Sequence, residues 1–120
     1  MTDTASREIR TDDYCVSYDE PTQTVACQGS LRLSGMSEYE PIVNLLSNVA
    51  ETDTDSVVLD LTGLDFLNSS GISMLSKFVI KVRHRKTVTM SVRGSRTIPW
   101  QGKSLKNLQR LMPNLDLQWD

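Results

Sequence analysis

A short apolar run from Val57 to Leu61 constrains the fold more than any other segment, because it leads within a few residues to a helix start. β-Branched and aliphatic side chains in a run of this length favour a buried strand. If the strand belongs to a parallel sheet, both of its faces are expected to be covered. The segment therefore predicts a central strand in a layered fold of sheet and helices.

Strand and helix patterns alternate along the rest of the chain. Further strands are predicted at Cys15–Tyr18, Thr24–Gln28, 87–92 and 115–119, with a turn at 19–22 and loops at 29–34 and 94–102. Helices are predicted from a capping box at Ser37 and Glu40 to Ala50, from Ser70 to His84, and around Leu105 to Met112, before Pro113. The order β-β-α-β-α-β-α-β predicts an α/β fold with a small mixed sheet packed against helices.

Length and charge limit the class of protein. The 120 residues, with a formal net charge of -2, suit a single globular domain and are too few for a separate catalytic domain. We expect residues 1–12 to form a disordered tail and residues 13–120 to form the domain. The polar N-terminus and the absence of a long apolar run predict a cytoplasmic protein without membrane insertion. The mild acidity argues against nucleic acid as a partner.

Two smaller features have ordinary interpretations. A basic cluster at the end of the second predicted helix fits a solvated helix terminus, and a partner-docking patch is the alternative. Its members are Lys81, Arg83, His84, Arg85 and Lys86. Cys15 and Cys27 could lie opposite each other in a hairpin, but we expect them to be reduced in a cytoplasm. With one histidine and no paired cysteine motif, no metal site is predicted.

The turn before the second helix places two hydroxyls where the helix begins, in the sequence Asn68-Ser69-Ser70-Gly71. Asn and Ser are good N-caps, since the first N–H groups of a helix need acceptors. From the residues alone, capping is a full explanation of the turn, although two adjacent hydroxyls exceed what one cap requires. The same N–H groups and the helix dipole also favour an anion, so a phosphate on a hydroxyl here would be stabilised.

The whole stretch from Val58 to Ile72 resembles the signature of the STAS family, named for sulphate transporters and anti-sigma factor antagonists. That signature is a hydrophobic strand, an Asp-Leu-x-x-Leu-x-Phe-x segment, and Asp-Ser-Ser/Thr-Gly at a helix start. The order of predicted elements fits the family from about residue 14 to 119. Asn68 departs from the pattern, because the family has Asp there; it preserves a cap but brings no carboxylate beside the acceptor.

The resemblance implies a regulatory protein in bacterial partner switching. An unmodified antagonist of this family binds a kinase-like anti-sigma protein, which phosphorylates the serine after the Asp. A metal-dependent Ser/Thr phosphatase then restores the serine. Carried over, the acceptor is Ser69, with Ser70 as the alternative. The switch loop comprises Asp65, Asn68, Ser69, Ser70 and Gly71.

The second helix is the predicted partner surface. Ile72, Leu75, Val79 and Val82 follow one apolar stripe, and Met74 and Phe78 lie off it. Met and Phe often anchor interfaces, although a broadly buried helix would explain them equally well. The predicted partner-binding residues are Ser73, Met74, Lys77, Phe78 and Lys81.

No enzyme is predicted, and no cofactor. Gly102-Lys103-Ser104 resembles the end of a phosphate-binding loop, but Thr97 stands where that motif needs glycine, so Ser104 is better read as a helix cap. His84 lacks the nucleophile elbow of a hydrolase. The alternative to a phosphorylated switch is a STAS module that is never phosphorylated, serving as a structural subunit of a transporter complex or stress-sensing assembly.

Overall fold

The computed structural model describes residues 8–52 and 54–120. Within them lie six strands and three helices in the order β1, β2, β3, α1, β4, α2, β5, α3, β6. The strands are β1 Glu8–Arg10, β2 Tyr14–Asp19, β3 Thr24–Leu31, β4 Ser56–Leu67, β5 Thr89–Gly94 and β6 Asp116–Trp119. The helices are α1 Gly35–Glu51, α2 Ser69–His84 and α3 Gln101–Leu111. The predicted mixed sheet packed against helices is confirmed.

The strands of the sheet follow one another in chain order, from β1 at one edge to β6 at the other. The pairs β1–β2 and β2–β3 are antiparallel, whereas β3 to β6 are parallel neighbours. Each helix connects two adjacent parallel strands, and such crossovers are almost always right-handed. Successive right-handed crossovers in one direction place α1, α2 and α3 on the same face of the sheet.

The burial pattern of the central strand β4 reflects the position of all three helices on one face of the sheet. Val57, Leu59 and Leu61 are buried beneath the helices, while Val58 and Asp60 on the other face are only half-buried. The prediction that both faces of this strand are covered is therefore wrong. The reason is that strands adjacent in both the chain and the sheet are connected by right-handed crossovers in one direction, which place the helices on one face only. The buried side chains beneath the helices form a continuous apolar core.

Several element boundaries differ from prediction. The loop expected at 29–34 is partly strand, because β3 continues to Leu31 in register with β4. Helix α1 begins at Gly35, and its N-cap is Ser34 rather than Ser37. Glu38, not Glu40, bonds back to the N-cap residue: its Oε1 accepts the Ser34 backbone N–H at 2.8 Å.

The N-terminal tail also differs. Residues 1–7 of the segment predicted to be disordered lie outside the described residues. Glu8–Arg10, which we assigned to the same tail, form β1 and pair with Cys15–Ser17 of β2. Ionic contact between Arg10 and Glu8 at 2.9 Å is exposed and adds little stability.

Helix α3 begins where β4 needs hydrogen-bond donors. Beyond Asp60, β4 no longer pairs with β5. The buried Gln101 side chain donates to the carbonyl oxygens of Leu61 and Leu64 at 2.7 and 3.1 Å and accepts the Ser95 N–H at 2.7 Å. Ser104 therefore does not cap this helix: it lies inside α3, which begins at Gln101.

The two cysteines do not face each other. In the β2–β3 register Cys15 pairs with Gln28 and Val16 pairs with Cys27, so the two thiols point to opposite faces of the sheet. Both cysteines are free, and burial raises the pKa of Cys27 to about 12. Among the described residues, no helix is both long enough and apolar enough to cross a membrane.

Candidate functional site

The predicted switch loop lies where β4 ends and α2 begins. Leu67 is the last residue of β4, Asn68 is the N-cap, and Ser69 is the first residue of α2. Asn68 has an extended backbone, with φ of -84° and ψ of 179°, and its Oδ1 accepts the Gly71 N–H at 2.9 Å. Asn, Asp and Ser are favoured at this position because a short side-chain oxygen reaches the third amide of the helix.

Asn68 also connects α2 to two other elements. Its Oδ1 accepts the Tyr39 hydroxyl of α1 at 2.8 Å, and its Nδ2 donates to the Leu33 carbonyl oxygen at 2.8 Å. Its backbone N–H donates to the carbonyl oxygen of Leu31, at the end of β3. The start of α2 is therefore fixed from β3, from the segment after it, and from α1.

These contacts explain the departure from the family pattern. The Leu33 carbonyl oxygen needs a donor, and the amide Nδ2 of Asn68 supplies one. The carboxylate of an Asp would accept hydrogen bonds only, and would place an anionic oxygen against that carbonyl. Asn68 thus supplies a donor that a carboxylate would lack, and it leaves the helix start without a negative side chain.

Gly71 allows the helix to pack this closely. A Cβ at this position would lie 2.1 Å from Cδ1 of Leu67 and 2.9 Å from the Tyr39 hydroxyl oxygen. Tyr39 is fully buried, and its hydroxyl also lies 3.1 Å from the Leu31 carbonyl oxygen. Burial raises the pKa of Tyr39, and a backbone hydrogen bond from Leu33 acts in the opposite direction. The hydroxyl stays protonated, as its role as a donor to Asn68 requires.

Ser69 and Ser70 are positioned to carry or contact an anion. Ser69 is exposed and Ser70 is half-buried. Gly71 and Ile72 donate their N–H groups to Asn68, but within the described part of the chain the amides of Ser69 and Ser70 have no acceptor. The first turn of α2 contains no acidic residue. The positive end of the helix dipole is therefore uncompensated beside the Ser69 hydroxyl.

An exposed aromatic residue lies three positions before Ser69. Phe66 is 39% exposed, and among the described residues it is the large hydrophobic side chain that is exposed to solvent. The guanidinium carbon of Arg32 lies 4.7 Å from its ring centroid, which is a cation–π distance. Asp65, the remaining residue of the predicted switch loop, is exposed beside it. Sequence reasoning missed Phe66, and its place between Asp65 and Leu67 in an apolar motif gave no sign of exposure.

Two predicted partner-binding residues belong to the core. Met74 and Phe78 are each 2% exposed and belong to the apolar core. They are therefore not exposed surface anchors, because the covered face of α2 is broad enough to include them as well as Leu75, Val79 and Val82. Ile72, assigned to the core stripe, is only half-buried.

The other three residues predicted on α2 are exposed and share one line of the helix. Ser73 and Lys77 follow Ser69 at intervals of four residues, and Lys81 continues the series. Lys81 contacts α1, with its Nζ 3.3 Å from the Ser47 hydroxyl and 3.6 Å from a Glu51 carboxylate oxygen. This line of exposed side chains leads along α2 from the switch serine to Lys77 and Lys81, and these two lysines lie beside α1.

The basic cluster at the end of α2 is largely structural. Arg83 donates to the carbonyl oxygen of Leu111, the last residue of α3, and Arg85 donates to that of Ala50 near the end of α1, both at 2.9 Å. The two arginines thus satisfy carbonyls at the ends of neighbouring helices, where cations are also favoured by the dipoles.

The residues considered for catalysis do not come together. His84 and Ser69 are at opposite ends of a 16-residue helix, which separates them by about 22 Å at roughly 1.5 Å per residue. Gly102, Lys103 and Ser104 lie within the first turn of α3 rather than in a loop after a strand. In the described part of the chain no group of His, Cys, Asp or Glu side chains is arranged to hold a metal ion.

Comparisons with known proteins agree with the motif and with the fold. The family model described as STAS domain matches residues 31–97, more than half of the chain. A chain in the crystal structure of the diguanylate cyclase SiaD in complex with its activator SiaC, from Pseudomonas aeruginosa, superimposes with a TM-score of 0.71 at 13% identity. That match covers 94% of this chain and 98% of the other.

Two further structures, described as SiaC and as apo-SiaC from the same organism, are also similar. One has a TM-score of 0.68 at 12% identity, covering 94% of this chain and 98% of the other. The apo form has a TM-score of 0.68 at 11% identity, covering 92% and 98%. A search of curated proteins finds no match. At these identities the similarity to solved structures establishes a shared fold.

Proposed function

This chain belongs to the STAS domain family, and we propose that it is a regulatory binding protein switched by phosphorylation of Ser69. The observation that carries the proposal is the start of α2. An exposed hydroxyl stands there beside two backbone amides that have no acceptor among the described residues, in a helix turn that has no acidic side chain. Hydrogen bonds with Tyr39, Gly71 and the Leu33 carbonyl fix Asn68, the residue directly before those amides.

The geometry favours Ser69 over Ser70 as the acceptor. Ser69 is exposed, whereas Ser70 is half-buried. A kinase must reach the hydroxyl from solvent, and a phosphate on the first residue of the helix can turn towards the free N–H groups. Asn68 and Gly71 serve the loop in different ways: Asn68 caps the helix, and Gly71 permits close packing. Asp65 is an exposed residue of β4, before the first turn of α2.

Phosphorylation acts on binding rather than on folding. A phosphate adds about -1.5 to -2 charges at neutral pH and lies at the positive end of α2. The folded state therefore tolerates it. A partner that covers Ser69, Ser73 and Lys77 would have to bury that charge, which without a counterion weakens binding by several kcal/mol. The switch is an exposed charge at the edge of a docking surface.

The partners follow from the family resemblance. We propose a kinase-like anti-sigma protein that binds the unmodified form and phosphorylates it, and a metal-dependent Ser/Thr phosphatase that reverses the reaction. The protein itself has no catalytic role in this scheme, needs no cofactor, and acts in the cytoplasm. The structurally similar SiaC is an activator of a diguanylate cyclase. We accordingly propose an effector enzyme as a downstream partner that competes for the same surface.

A second candidate function rests on Asn68. Because the family's Asp is replaced, a kinase that needs that carboxylate would not use this site, and the domain would serve as a permanent subunit of a larger assembly such as a transporter complex or stress-sensing scaffold. The same fold and the same exposed line on α2 would then provide a constitutive interface.

Mass spectrometry of the protein isolated from its own cells separates the two functions. We expect a fraction of molecules heavier by one phosphate, with the modification mapped to Ser69 and lost in Ser69→Ala. Ser70→Ala, the matched control, keeps the phosphate. Unmodified protein under all growth conditions tested, together with a stable complex that Ser69→Asp leaves intact, would favour the permanent subunit.

A further inference from the structure

A groove lies between α1 and α2, beside the exposed line that starts at Ser69. It encloses about 160 Å³. Its walls are almost entirely apolar, and the charged residues among those lining it are two lysines. The lining residues are Val43, Leu46, Ser47, Met74, Lys77, Phe78 and Lys81. The buried side chains of Met74 and Phe78 thus form part of a surface depression without being exposed anchors themselves.

The size and shape of the groove suit one large side chain. An apolar cavity of about 150 Å³ is enough to bind benzene, so a leucine or phenylalanine side chain matches this volume. Val43 and Ser47 are half-buried at its α1 side, and Lys77 is exposed at its α2 side. The groove is therefore open to a side chain that arrives from solvent.

The charges at the rim of the groove determine which residues are favoured next to the inserted side chain. Lys81 is already engaged by Glu51 and Ser47. Lys77 has no ion pair within the described part of the chain, and it stands one helical turn from Ser73 and two turns from Ser69. A carboxylate next to the incoming apolar group would meet Lys77, and a cation there would be repelled.

We propose that this groove is the docking pocket for a partner protein that inserts a leucine or phenylalanine flanked by acidic residues. This proposal adds a partner-binding site to the proposed phosphorylation switch and depends on that switch in one respect. A phosphate on Ser69 would lie on the same exposed line of α2 as Lys77. Its negative charge therefore opposes the acidic flank of the partner while leaving the apolar pocket unchanged.

A short peptide probes the pocket directly. The probe is a six-residue peptide with leucine and phenylalanine between two pairs of glutamates, titrated into unmodified 15N-labelled protein; its control has lysines in place of the glutamates. We expect the largest amide shifts at Val43, Ser47 and Lys77 with the acidic peptide, and an affinity for the basic peptide at least fivefold weaker.

Two pairs of variants test the pocket and the charge separately. Ser47→Phe places a ring in the groove and is expected to abolish the shifts, whereas Asn44→Phe, on the exposed side of α1, is expected to keep them. Lys77→Glu is expected to weaken the acidic peptide by about fivefold to tenfold, whereas Lys103→Glu on α3 leaves it unchanged.

Shifts confined to other surfaces, equal binding of the two peptides, or unchanged binding by Ser47→Phe would overturn the proposal. Because this titration uses unmodified protein, its failure leaves the phosphorylation of Ser69 unaffected. Conversely, absence of phosphate on Ser69 in cells would contradict the switch while leaving the pocket in place.

Discussion

Helices α1 and α2 both follow a strand of the parallel part of the sheet, but their first turns are built differently. At the start of α1, Ser34 makes no side-chain capping bond, and Glu38 reaches back to its N–H. At the start of α2, Asn68 caps the helix, and contacts from α1 and from the Leu33 carbonyl hold the asparagine itself.

The difference decides which helix end is suited to an anion. Glu38 already places a carboxylate in the first turn of α1, so the positive dipole end there is neutralised locally. The first turn of α2 has no carboxylate, and its cap Asn68 is fixed by Tyr39 and Leu33, which are distant in the sequence. A phosphate binds best where donors are preorganised and no negative charge competes.

The largest expected effect comes from removing the side chain that builds the α2 start. Asn68→Ala deletes the cap and leaves the Leu33 carbonyl and the Gly71 amide without partners, which predicts a loss of about 3 kcal/mol in the free energy of unfolding. Ser34→Ala, the matched change at α1, removes no capping bond and should lose less than about 0.5 kcal/mol. Urea unfolding monitored by circular dichroism measures both. Equal losses would erase the contrast between the two helix starts.

A second change tests how closely α2 packs at its start. Gly71→Ala forces a methyl group against Leu67 and Tyr39, so we expect a loss of about 2 kcal/mol, as is typical of overpacking. Gly102→Ala is the control, since it lies in α3 with open space around its Cβ position and should gain up to about 1 kcal/mol. If thermal unfolding showed both variants stabilised, the tight contact at Gly71 would not exist.

Tyr39→Phe removes only the hydroxyl that α1 contributes to Asn68. Loss of one buried hydrogen bond predicts a decrease of about 1 kcal/mol at neutral pH. Because burial raises the pKa of Tyr39 above its ordinary value of 10.0, the folded state retains the proton, and wild-type stability falls as the pH rises beyond 10. The Cys27 thiol lowers the free energy of unfolding of the wild type and of Tyr39→Phe alike above pH 9, since its pKa is raised from 9.0 to about 12.

The decrease caused by Tyr39→Phe should therefore shrink between pH 10 and 11 in urea titrations. A difference that is constant across this range would show that the hydroxyl is not buried against Asn68, and Cys27→Ala is the control that isolates the contribution of the thiol.

Local patterns predicted the switch loop better than they predicted the helix surface. The strand predicted at Val57–Leu61 continues to Leu67 in β4, but the motif from Val58 to Ile72 located the start of α2 to within one residue and included Asn68 among its possible caps. These features depend on neighbouring residues, so the sequence contains them. The half-exposed face of β4 depends instead on all helices lying on one side, which is a property of the sheet order.

Contacts between distant residues were beyond prediction. Nothing near Tyr39 in the sequence indicates that its hydroxyl reaches Asn68, 29 positions later. The burial of Met74 and Phe78 likewise follows from the approach of α1, which covers a second row of α2 that periodicity left open between core and partner surface. The same approach creates the groove, which no single helix pattern contains.

The central claim is that the start of α2 stabilises a phosphate, and incorporation of phosphoserine at a chosen position tests it most directly. The measurement is the free energy of unfolding of protein carrying phosphoserine at position 69, compared with unmodified protein and with phosphoserine at position 73, one turn further along the same exposed line. We predict that phosphate at 69 raises stability by about 0.3–1 kcal/mol, because it meets the free amides and the dipole. Phosphate at 73, beyond their reach, should give no gain. Equal effects at the two positions, or a loss at 69, would contradict the account.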